Sequence, residues 1–277
     1  MTKTFRNDEA ARRSGEAITF SFGENWLKYI DDLSEAQIVQ AQDSLLDNLG
    51  GSSIDGRTVI DLGCGSGVFS LGFYSLGASR LTSVDIDPNS IACTEQLRLR
   101  TPDRERWTVL RGSVLDDQFV GRLEPADIVY SWGVLHHTGA MWNAIENAMK
   151  LVRPGGLLSL ALYTRPNHLG LHMRLKRTYN RSPRTLRPVI TALYAGAFLA
   201  NKLRQGRNPV SYVREYGESS RGMSFWRDAD DWLGGLPFEF ASADEVQAFA
   251  ASRDFSVERV VERSGGGNND YLLRRNA

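Results

Sequence analysis

The sequence predicts an α/β fold: a doubly wound sheet of seven strands, mostly parallel, with helices on both faces and a helical insertion after the fifth strand. Three observations lead to this prediction. Short apolar runs alternate with helix-like segments from residue 58 to residue 163, the pattern of parallel strands joined by helices. A glycine-rich turn directly follows the first run. The alternation stops at residue 164 and resumes near residue 243 with one helix and two strands.

The segment before the sheet is predicted to be a helical cap, residues 1–50. Ser34 and Gln37 form the pattern of a capping box, and apolar residues follow at helical spacing. Gly50 and Gly51 are then expected to end the helix.

The elements of the sheet follow from local composition. Most strands are short apolar runs rich in β-branched or aromatic residues. Pro88 is expected to open a helix, because proline suits the first helical turn. Arg153–Gly156 is predicted to be a turn. The predicted strands are Thr58–Leu62, Leu81–Val84, Trp107–Leu110, Asp127–Tyr130, Leu157–Tyr163, Phe255–Val261 and Asp270–Arg274, and the helices between them are Gly67–Leu76, Pro88–Leu99, Trp142–Leu151 and Ala243–Ala251.

The most informative segment is Val59–Gly67. Two apolar β-formers lead into Asp61, and three glycines then fall at alternate positions. Such a turn lets a ligand approach bare backbone at the start of a helix. The next strand ends in Asp85, where an α/β fold holds the ribose hydroxyls of a nucleoside ligand.

The spacing of the glycines discriminates between ligands. A dinucleotide site uses G-x-G-x-x-G, but this turn reads G-x-G-x-G and has Val68 at the last glycine position of the dinucleotide pattern. No P-loop lysine follows, so the turn does not match a triphosphate site either.

The segment D-x-G-x-G-x-G, residues 61–67, resembles motif I of the class I S-adenosylmethionine-dependent methyltransferases. Among them the chain is similar to the small-molecule, ubiquinone-biosynthesis-like enzymes. The resemblance implies a Rossmann-like sheet in the order 3-2-1-4-5-7-6 with an antiparallel last strand. It also implies an enzyme that takes S-adenosyl-L-methionine as cofactor and releases S-adenosyl-L-homocysteine.

The expected reaction is methyl transfer to a small-molecule acceptor, at the oxygen of a hydroxyl or carboxylate. Transfer to nitrogen, carbon or sulfur is the alternative. A membrane-associated enzyme that acts on a quinone-like or lipid-like acceptor is another.

The resemblance divides the chain into four parts. Residues 1–50 are the N-terminal cap or flap, and residues 51–163 are the core that binds S-adenosylmethionine. Residues 164–240 are the insertion, expected to be a lid that forms the acceptor pocket. Residues 241–277 return to the core with its last helix and two strands.

The cofactor-binding residues are also assigned by resemblance. The backbone of motif I is expected to wrap the methionine portion, Asp85 to hold the ribose hydroxyls and Ile86 to lie along the adenine. Ser113 stands where many relatives have an aspartate, so its contact with the adenine amino group is expected to weaken or to pass to the backbone. The predicted set is Asp61, Gly63, Cys64, Gly65, Gly67, Asp85, Ile86, Ser113, Val114, Ser131 and Trp132, with Phe22 and Trp26 as an aromatic flap.

His136 and His137 follow the fourth strand and are the predicted catalytic residues. Family members often carry histidines here, near the transferred methyl group. The ordinary pKa of histidine, about 6.5, allows the neutral ring to take a proton from an acceptor. Consecutive residues in a turn point apart, so one of the two is expected to face the methyl group. A histidine hydrogen-bonded to a nearby carbonyl is the alternative for either.

The insertion is expected to line the acceptor pocket through Trp226 and Trp232, together with Tyr163 at the end of the fifth strand. It begins with a basic helix over Leu171–Tyr179 and a mostly apolar segment over Arg187–Lys202. Residues 164–214 contain eleven Lys or Arg and no Asp or Glu. Three interpretations of this positive block stay open: a pocket for an anionic acceptor, a membrane-facing lid, or a solvated helix face.

Composition narrows the classes of function. A chain of 277 residues with 42% hydrophobic content can bury one large core and an appendage. Its formal net charge of zero argues against nucleic acid as a partner. Cys64 and Cys93 are too few for a disulfide framework. The N-terminus lacks a secretory apolar region, so we expect a cytoplasmic protein, with peripheral membrane contact left open.

Two other functions and a metal site are disfavoured. The sequence does not support a nicotinamide-dependent oxidoreductase, because the glycine turn lacks the third glycine of the dinucleotide-binding pattern. A non-catalytic methyltransferase-like subunit would not need an intact motif I, Asp85 and paired histidines. A metal site is not expected, because His168 and His172 have no carboxylate nearby in the sequence.

Overall fold

The computed structural model describes residues 33–219, 225–262 and 267–277. Phe22 and Trp26, the predicted aromatic flap, lie outside the described residues. The strands are β1 Thr58–Leu62, β2 Arg80–Asp85, β3 Trp107–Arg111, β4 Ala126–Trp132, β5 Val152–Tyr163, β6 Phe255–Val261 and β7 Asn268–Arg275.

The seven strands form one sheet in the order β3-β2-β1-β4-β5-β7-β6, as predicted. Strands β1 to β5 are parallel, and β7 runs antiparallel to both β5 and β6. The carboxyl ends of the parallel strands therefore lie along one edge of the sheet, where open α/β sheets bind their ligands.

Helices cover both faces of the sheet. Leu45, Phe73 and Leu97 of three helices are buried in one hydrophobic cluster, and Ile145 and Phe249 of two others are buried in a second. Full burial of a side chain of this size stabilises the fold by about 1.5–3 kcal/mol. These helices are α1 Glu35–Asn48, α2 Val68–Ser75, α3 Pro88–Leu99, α5 Met141–Lys150 and α10 Ala243–Ala251, and the short α4 is Asp117–Val120.

Local sequence explains where several helices begin. Ser34 accepts a hydrogen bond from the N–H of Gln37, whose side chain accepts one from the backbone of Ser34, so the predicted capping box is present at α1. Ser242 and Glu245 make the same arrangement at α10. Pro88 occupies the first turn of α3 as predicted.

The fifth strand begins earlier than the sequence predicted. The expected turn at Arg153–Gly156 lies inside β5, because Val152 already pairs with Ala126 of β4. The register shifts between Ala126 and Ile128, which accommodates the extra residues. The error therefore comes from pairing between distant segments, which overrides the local turn signal.

The insertion consists of four helices over its described residues: α6 Leu169–Arg181, α7 Arg187–Arg204, α8 Pro209–Ser219 and α9 Phe225–Gly234. Tyrosine–carboxylate hydrogen bonds tie α9 to its neighbours. The hydroxyl of Tyr179 donates to Asp230 at 3.0 Å, and that of Tyr216 donates to Asp228. Eight of the eleven basic residues of the positive block are exposed, so most of that block is a solvated helix face: Arg165, Arg174, Arg177, Arg181, Arg184, Arg204, Arg207 and Arg214.

Candidate active site

The glycine turn between β1 and α2 depends on the absence of side chains. Gly63 and Gly67 have φ of +78° and +79°, a backbone region that favours glycine. A Cβ at Gly67 would lie 2.8 Å from Cα of Thr94, and one at Gly63 would overlap the side chain of Val134. Val134 directly precedes the short helix Leu135–His137, so its contact with Gly63 joins the turn to the paired histidines.

Asp85 lies at the carboxyl end of β2 and is fixed against the glycine turn. Its carboxylate accepts hydrogen bonds from the N–H of Gly65 at 2.9 Å and from the N–H of Asp87 at 2.8 Å. Burial raises the pKa of Asp85, and these two hydrogen bonds act in the opposite direction. Ile86, the next residue, is 64% exposed and offers an apolar surface beside this carboxylate.

Asp61 is buried below the turn and belongs to a chain of polar groups in the core. Trp107 Nε1 donates to the hydroxyl of Ser83, which donates to Ser70, which donates to Asp61 at 2.5 Å. Burial raises the pKa of Asp61 to about 7. The side chain of Asp61 therefore supports the turn from inside the protein.

The remaining predicted cofactor residues make structural contacts. Cys64 is buried with Sγ 3.3 Å from the hydroxyl of Thr94, and burial raises the pKa of its thiol well above the usual range. Ser131 is fully buried and donates to the carbonyl of Leu62, which fastens β4 to β1.

At the edge beyond β3, Ser113 accepts from the N–H of Leu115 at 3.1 Å, and the carbonyl of Val114 accepts from Asn147. Trp132 is partly buried and packs against one of the core clusters. The predicted cofactor contacts of these residues stay predictions.

His136, His137 and Tyr163 form one aromatic cluster at the carboxyl ends of β4 and β5. The ring centroids of His136 and Tyr163 lie 3.9 Å apart, and those of His137 and Tyr163 lie 5.3 Å apart. Phe238 of the insertion packs on Tyr163 with 4.9 Å between centroids. The structure therefore brings together the two predicted catalytic histidines and one predicted acceptor residue.

The two histidines have different environments. His136 is fully buried, and its Nδ1 accepts from the N–H of Tyr163 at 3.3 Å. His137 is partly exposed, and its Nδ1 lies 2.7 Å from the carbonyl oxygen of Pro237. Because a carbonyl only accepts, Nδ1 of His137 carries the hydrogen and Nε2 carries the lone pair of the neutral ring.

Burial keeps both imidazoles neutral. It lowers the pKa of His137 to about 4, and the carbonyl of Pro237 opposes this shift. It lowers the pKa of His136 well below the usual range, and the nearby His137 and Lys176 add to the effect. Of the pair, only His137 is partly exposed and carries its lone pair on Nε2.

Lys176 of α6 is fully buried beside this cluster, although the sequence placed it in the basic helix. Its Nζ donates to the carbonyl of Trp232 and lies 4.5 Å from the ring centroid of Trp232 and 5.0 Å from that of Phe238. Burial lowers the pKa of Lys176 to about 7.

The two predicted tryptophans of the acceptor pocket are separated. Trp232 contacts Lys176, packs edge-on against His172 at 5.1 Å and stacks on Tyr194 at 4.7 Å. Trp226 is 48% exposed and packs against Phe225. Six residues along a helix rotate the side chain direction by about 120°, so the two tryptophans do not share a face of α9.

The residues present fit the predicted cofactor. A fixed carboxylate ends β2 against the glycine turn, and an exposed isoleucine lies beside it. These are the groups that a nucleoside with ribose hydroxyls and an adenine ring requires.

Residues 60–158 match a family model described as a methyltransferase domain. Residues 60–158 are therefore a methyltransferase domain. The predicted class of enzyme domain and the predicted sheet order are confirmed. The match ends at residue 158, before the insertion, so the helices that cover the histidines lie outside it.

The curated relatives are similar to only part of this chain. The ribosomal protein L11 methyltransferase of Azotobacter vinelandii is 33% identical over 117 residues, which are 42% of this chain and 37% of the relative. That of Nitrosomonas europaea is 36% identical over 110 residues, 38% of this chain and 34% of the relative. The chain thus spans about a third of the length of the curated relatives that it matches.

Solved structures share the fold over nearly the whole chain. Magnesium protoporphyrin IX methyltransferase from Synechocystis PCC 6803 with bound SAH has a TM-score of 0.54 at 17% identity, and the match covers 92% of this chain and 95% of that one. The N-methyltransferase NodS from Bradyrhizobium japonicum with SAH has a TM-score of 0.51 at 14% identity, with 93% and 100% covered. Their bound SAH agrees with the cofactor predicted for the methyltransferase domain.

One prediction is wrong. A small-molecule acceptor was expected as the partner of this chain, but its curated relatives are named for the methylation of a ribosomal protein. The physical reason is that the cofactor motif, on which the prediction rested, is common to enzymes with different acceptors.

Within the described residues, no group of three or more His, Cys, Asp or Glu is arranged to hold a metal ion. None of the described helices has the length and apolar content needed to cross a membrane.

Sequence reasoning gave no individual role to three residues of the site, Lys176, Gly235 and Pro237, although it expected the stretch from Arg221 to Phe240 to line the acceptor pocket. Gly235 and Pro237 act through backbone positions that only the fold brings to His137. Lys176 did leave a signal, because His172, Lys176 and Tyr179 recur at helical spacing and form the inward face of α6.

Proposed function

We propose that this chain is an S-adenosylmethionine-dependent methyltransferase that holds its acceptor between the paired histidines and the helical insertion. The observation that carries the proposal is the contact of Val134 with Gly63, which places the histidine helix directly against the glycine turn. A methyl donor bound at the turn and an acceptor bound at His137 would then be neighbours.

The cofactor would be held by groups that are already positioned. Asp85 is kept in place by the N–H groups of Gly65 and Asp87, and its carboxylate would accept hydrogen bonds from the ribose hydroxyls. Ile86 would pack along the adenine. When bound, S-adenosylmethionine supplies an electrophilic methyl group on a sulfonium. The chain's own contribution is to position the acceptor and exclude water.

His137 would orient the acceptor and take its proton. Its Nε2 lone pair accepts a hydrogen bond from an acceptor O–H, since Nδ1–H is committed to the carbonyl of Pro237. An oxygen that gains a methyl group before it loses its proton is a strong acid. A base with a pKa of about 4 is therefore sufficient, and the proton moves to Nε2. This favours oxygen as the acceptor atom.

A polypeptide is the candidate acceptor, because the curated relatives are named for a protein acceptor. The insertion also exposes apolar side chains among exposed arginines: Leu171, Leu193 and Val210 are 66%, 71% and 76% exposed.

The proposal is tested by incubating the purified protein with a cell extract and S-adenosylmethionine labelled in the methyl group. We expect transfer of label, with radioactivity in the acid-precipitable protein fraction. The control is the His137→Phe variant, in which the incorporated label should fall to background. No transfer to any fraction by the wild-type chain would overturn the proposed function. Label confined to the acid-soluble fraction would overturn the polypeptide acceptor.

A further inference from the structure

Lys176 is a buried cation that has no charged partner among the described residues. Its side chain is fully buried, and burial alone accounts for the depression of its pKa. An ammonium group has three N–H donors, and the carbonyl of Trp232 takes one of them. The rings of Trp232 and Phe238 enclose the group on two sides. Lysine is rarely buried completely unless it is paired, so the remaining donors require explanation.

Of the three acids in the neighbouring helix α9, Asp231 has no effect on the pKa of Lys176, and the other two are hydrogen-bonded to hydroxyl groups. Asp230 accepts from the hydroxyls of Tyr179 and Thr191. Asp228 accepts from the hydroxyl of Tyr216. The titratable groups whose charges couple to Lys176 are histidines, His136, His137 and His172, and burial keeps the first two neutral.

His136 provides a second unmatched donor in the same cluster. In the neutral ring, acceptance by Nδ1 from the N–H of Tyr163 puts the hydrogen on Nε2. A backbone hydrogen bond with Ala161 also acts on this ring and raises its pKa. That Nε2 is buried and has no hydrogen-bond partner among the described residues. Buried donors in folded proteins are almost always satisfied, and an exception indicates a ligand, a water or a functional role.

The positive charge of Lys176 acts on His136, so the two donors belong to one cluster, and Phe238 and Tyr163 pack beside them. The Nζ of Lys176 lies 5.0 Å from the centroid of Phe238, and Phe238 packs on Tyr163, whose ring packs on His136. Two donors and a single positive charge in an apolar, aromatic surrounding are complementary to a group with two acceptor oxygens and a single negative charge. A carboxylate has that composition.

We propose that Lys176 and the Nε2–H of His136 bind a carboxylate carried by the methyl acceptor. The statement that the carboxylate belongs to the acceptor rests on the proposed function. The carboxylate supplies the counter-charge that Lys176 lacks, and it accepts the hydrogen bond that His136 cannot make within the described protein. Binding is accompanied by uptake of a proton, because the buried amine becomes fully charged only when the anion is present.

The test follows the ionisation of Lys176 by NMR in protein labelled with ¹³Cε-lysine. The chain has five lysines, and the signal that disappears in Lys176→Met is assigned to Lys176. Acetate is the probe, acetamide is its neutral counterpart, and sodium chloride controls for ionic strength. We expect saturating acetate to raise the apparent pKa of Lys176 by about one unit, which corresponds to tenfold tighter binding of acetate to the protonated form. Acetamide should leave the pKa unchanged.

Matched variants separate the site from general charge effects. Arg177→Met removes an exposed cation from the same helix and should preserve the response of Lys176 to acetate. His136→Phe, which removes the second donor, should reduce the response at least threefold. A response to acetate no larger than the response to acetamide or chloride would overturn the proposal.

Two further measurements distinguish this proposal from the proposed function. A capped tripeptide with a central glutamate, compared with its glutamine analogue, should reproduce the acetate effect if a polypeptide carries the carboxylate. If acetate raises the pKa of Lys176 but the glutamate peptide does not, the carboxylate is not carried by a polypeptide. Calorimetry with S-adenosylmethionine on the same samples tests the other premise. A wild-type protein that responds to acetate but does not bind S-adenosylmethionine would overturn the assignment of the carboxylate to a methyl acceptor.

Discussion

The Nδ1 atom of His137 lies 2.7 Å from the main-chain oxygen of Pro237, a residue one hundred positions later in the chain. This hydrogen bond fastens the end of the insertion to the short helix after β4. It also fixes the tautomer of His137, so that the lone pair lies on Nε2. The N–H of Glu239 also donates to the carbonyl of His136, so two hydrogen bonds join the end of the insertion to the histidine helix.

Replacement of His137 tests its role in proton transfer. His137→Phe keeps an aromatic ring but removes both nitrogens. We expect transfer of labelled methyl to fall by about 10²–10⁴-fold, the usual contribution of a general base. The affinity for S-adenosylmethionine, measured by calorimetry, should change less than about twofold, because the affected group faces the acceptor. His168→Phe, at an exposed position, is the matched control, and equal turnover in both variants would contradict the assigned role.

Gly235 controls the position of the same ring. A Cβ at Gly235 would lie 2.8 Å from Cε1 of His137, whereas one at Gly196 in α7 would meet nothing within 4 Å. Gly235→Ala should therefore lower the free energy of unfolding by about 1–3 kcal/mol and reduce methyl transfer. Gly196→Ala should raise it by about 0.5–1 kcal/mol, because alanine is preferred inside helices. Urea unfolding of the two variants measures this, and equal stability would refute the predicted contact.

The neutral, partly buried imidazole of His137 makes the protein sensitive to acid. Its pKa is about 4 in the folded protein and near the ordinary 6.5 when unfolded. Between these values the unfolded state binds more protons, so stability falls as the pH decreases from 6.5 to 4. The difference in unfolding free energy between wild type and His137→Phe should therefore change with pH in this window and be constant above pH 7. A pH-independent difference would show that the imidazole is not buried in neutral form.

The contribution of Asp61 to stability is expected to depend on pH in the opposite direction. Its pKa is about 7 in the folded protein and near the ordinary 3.8 when unfolded. Between these values the folded state binds more protons, so its contribution to stability is lost as the pH rises from 4 to 7. Asp61→Asn keeps an oxygen that can accept from Ser70 and removes the ionisation. Relative to this variant, wild type should lose stability as the pH rises through that range, and a flat difference in urea unfolding would contradict the raised pKa.

Local patterns were sufficient to predict the cofactor half of the molecule. The alternation of strands and helices predicted the sheet, and the resemblance to a known family implied its strand order. The spacing of the glycines around Gly65 identified the turn. These features are encoded within short segments, since a turn or a capping box is set by residues a few positions apart. The capping box of Ser34 was found for the same reason.

The acceptor side could not be predicted in the same way. Lys176 has the composition of a surface residue, and only the packing of α6 against α9 buries it. Trp226 and Trp232 looked equivalent in the sequence, but the rotation along α9 separates them. The bond between His137 and Pro237 joins distant segments through a backbone atom, which carries no signal in residue type.

Calorimetric titration of the purified chain with S-adenosylmethionine tests the central claim most directly. The structure places Asp85 against the glycine turn, where its carboxylate would hold the ribose hydroxyls. We predict binding of one molecule per chain by the wild type and a loss of at least about tenfold in affinity for Asp85→Ala, since a charged hydrogen-bond acceptor contributes about 1.5–3 kcal/mol. The absence of binding by the folded wild type, or equal affinity in Asp85→Ala, would contradict the account.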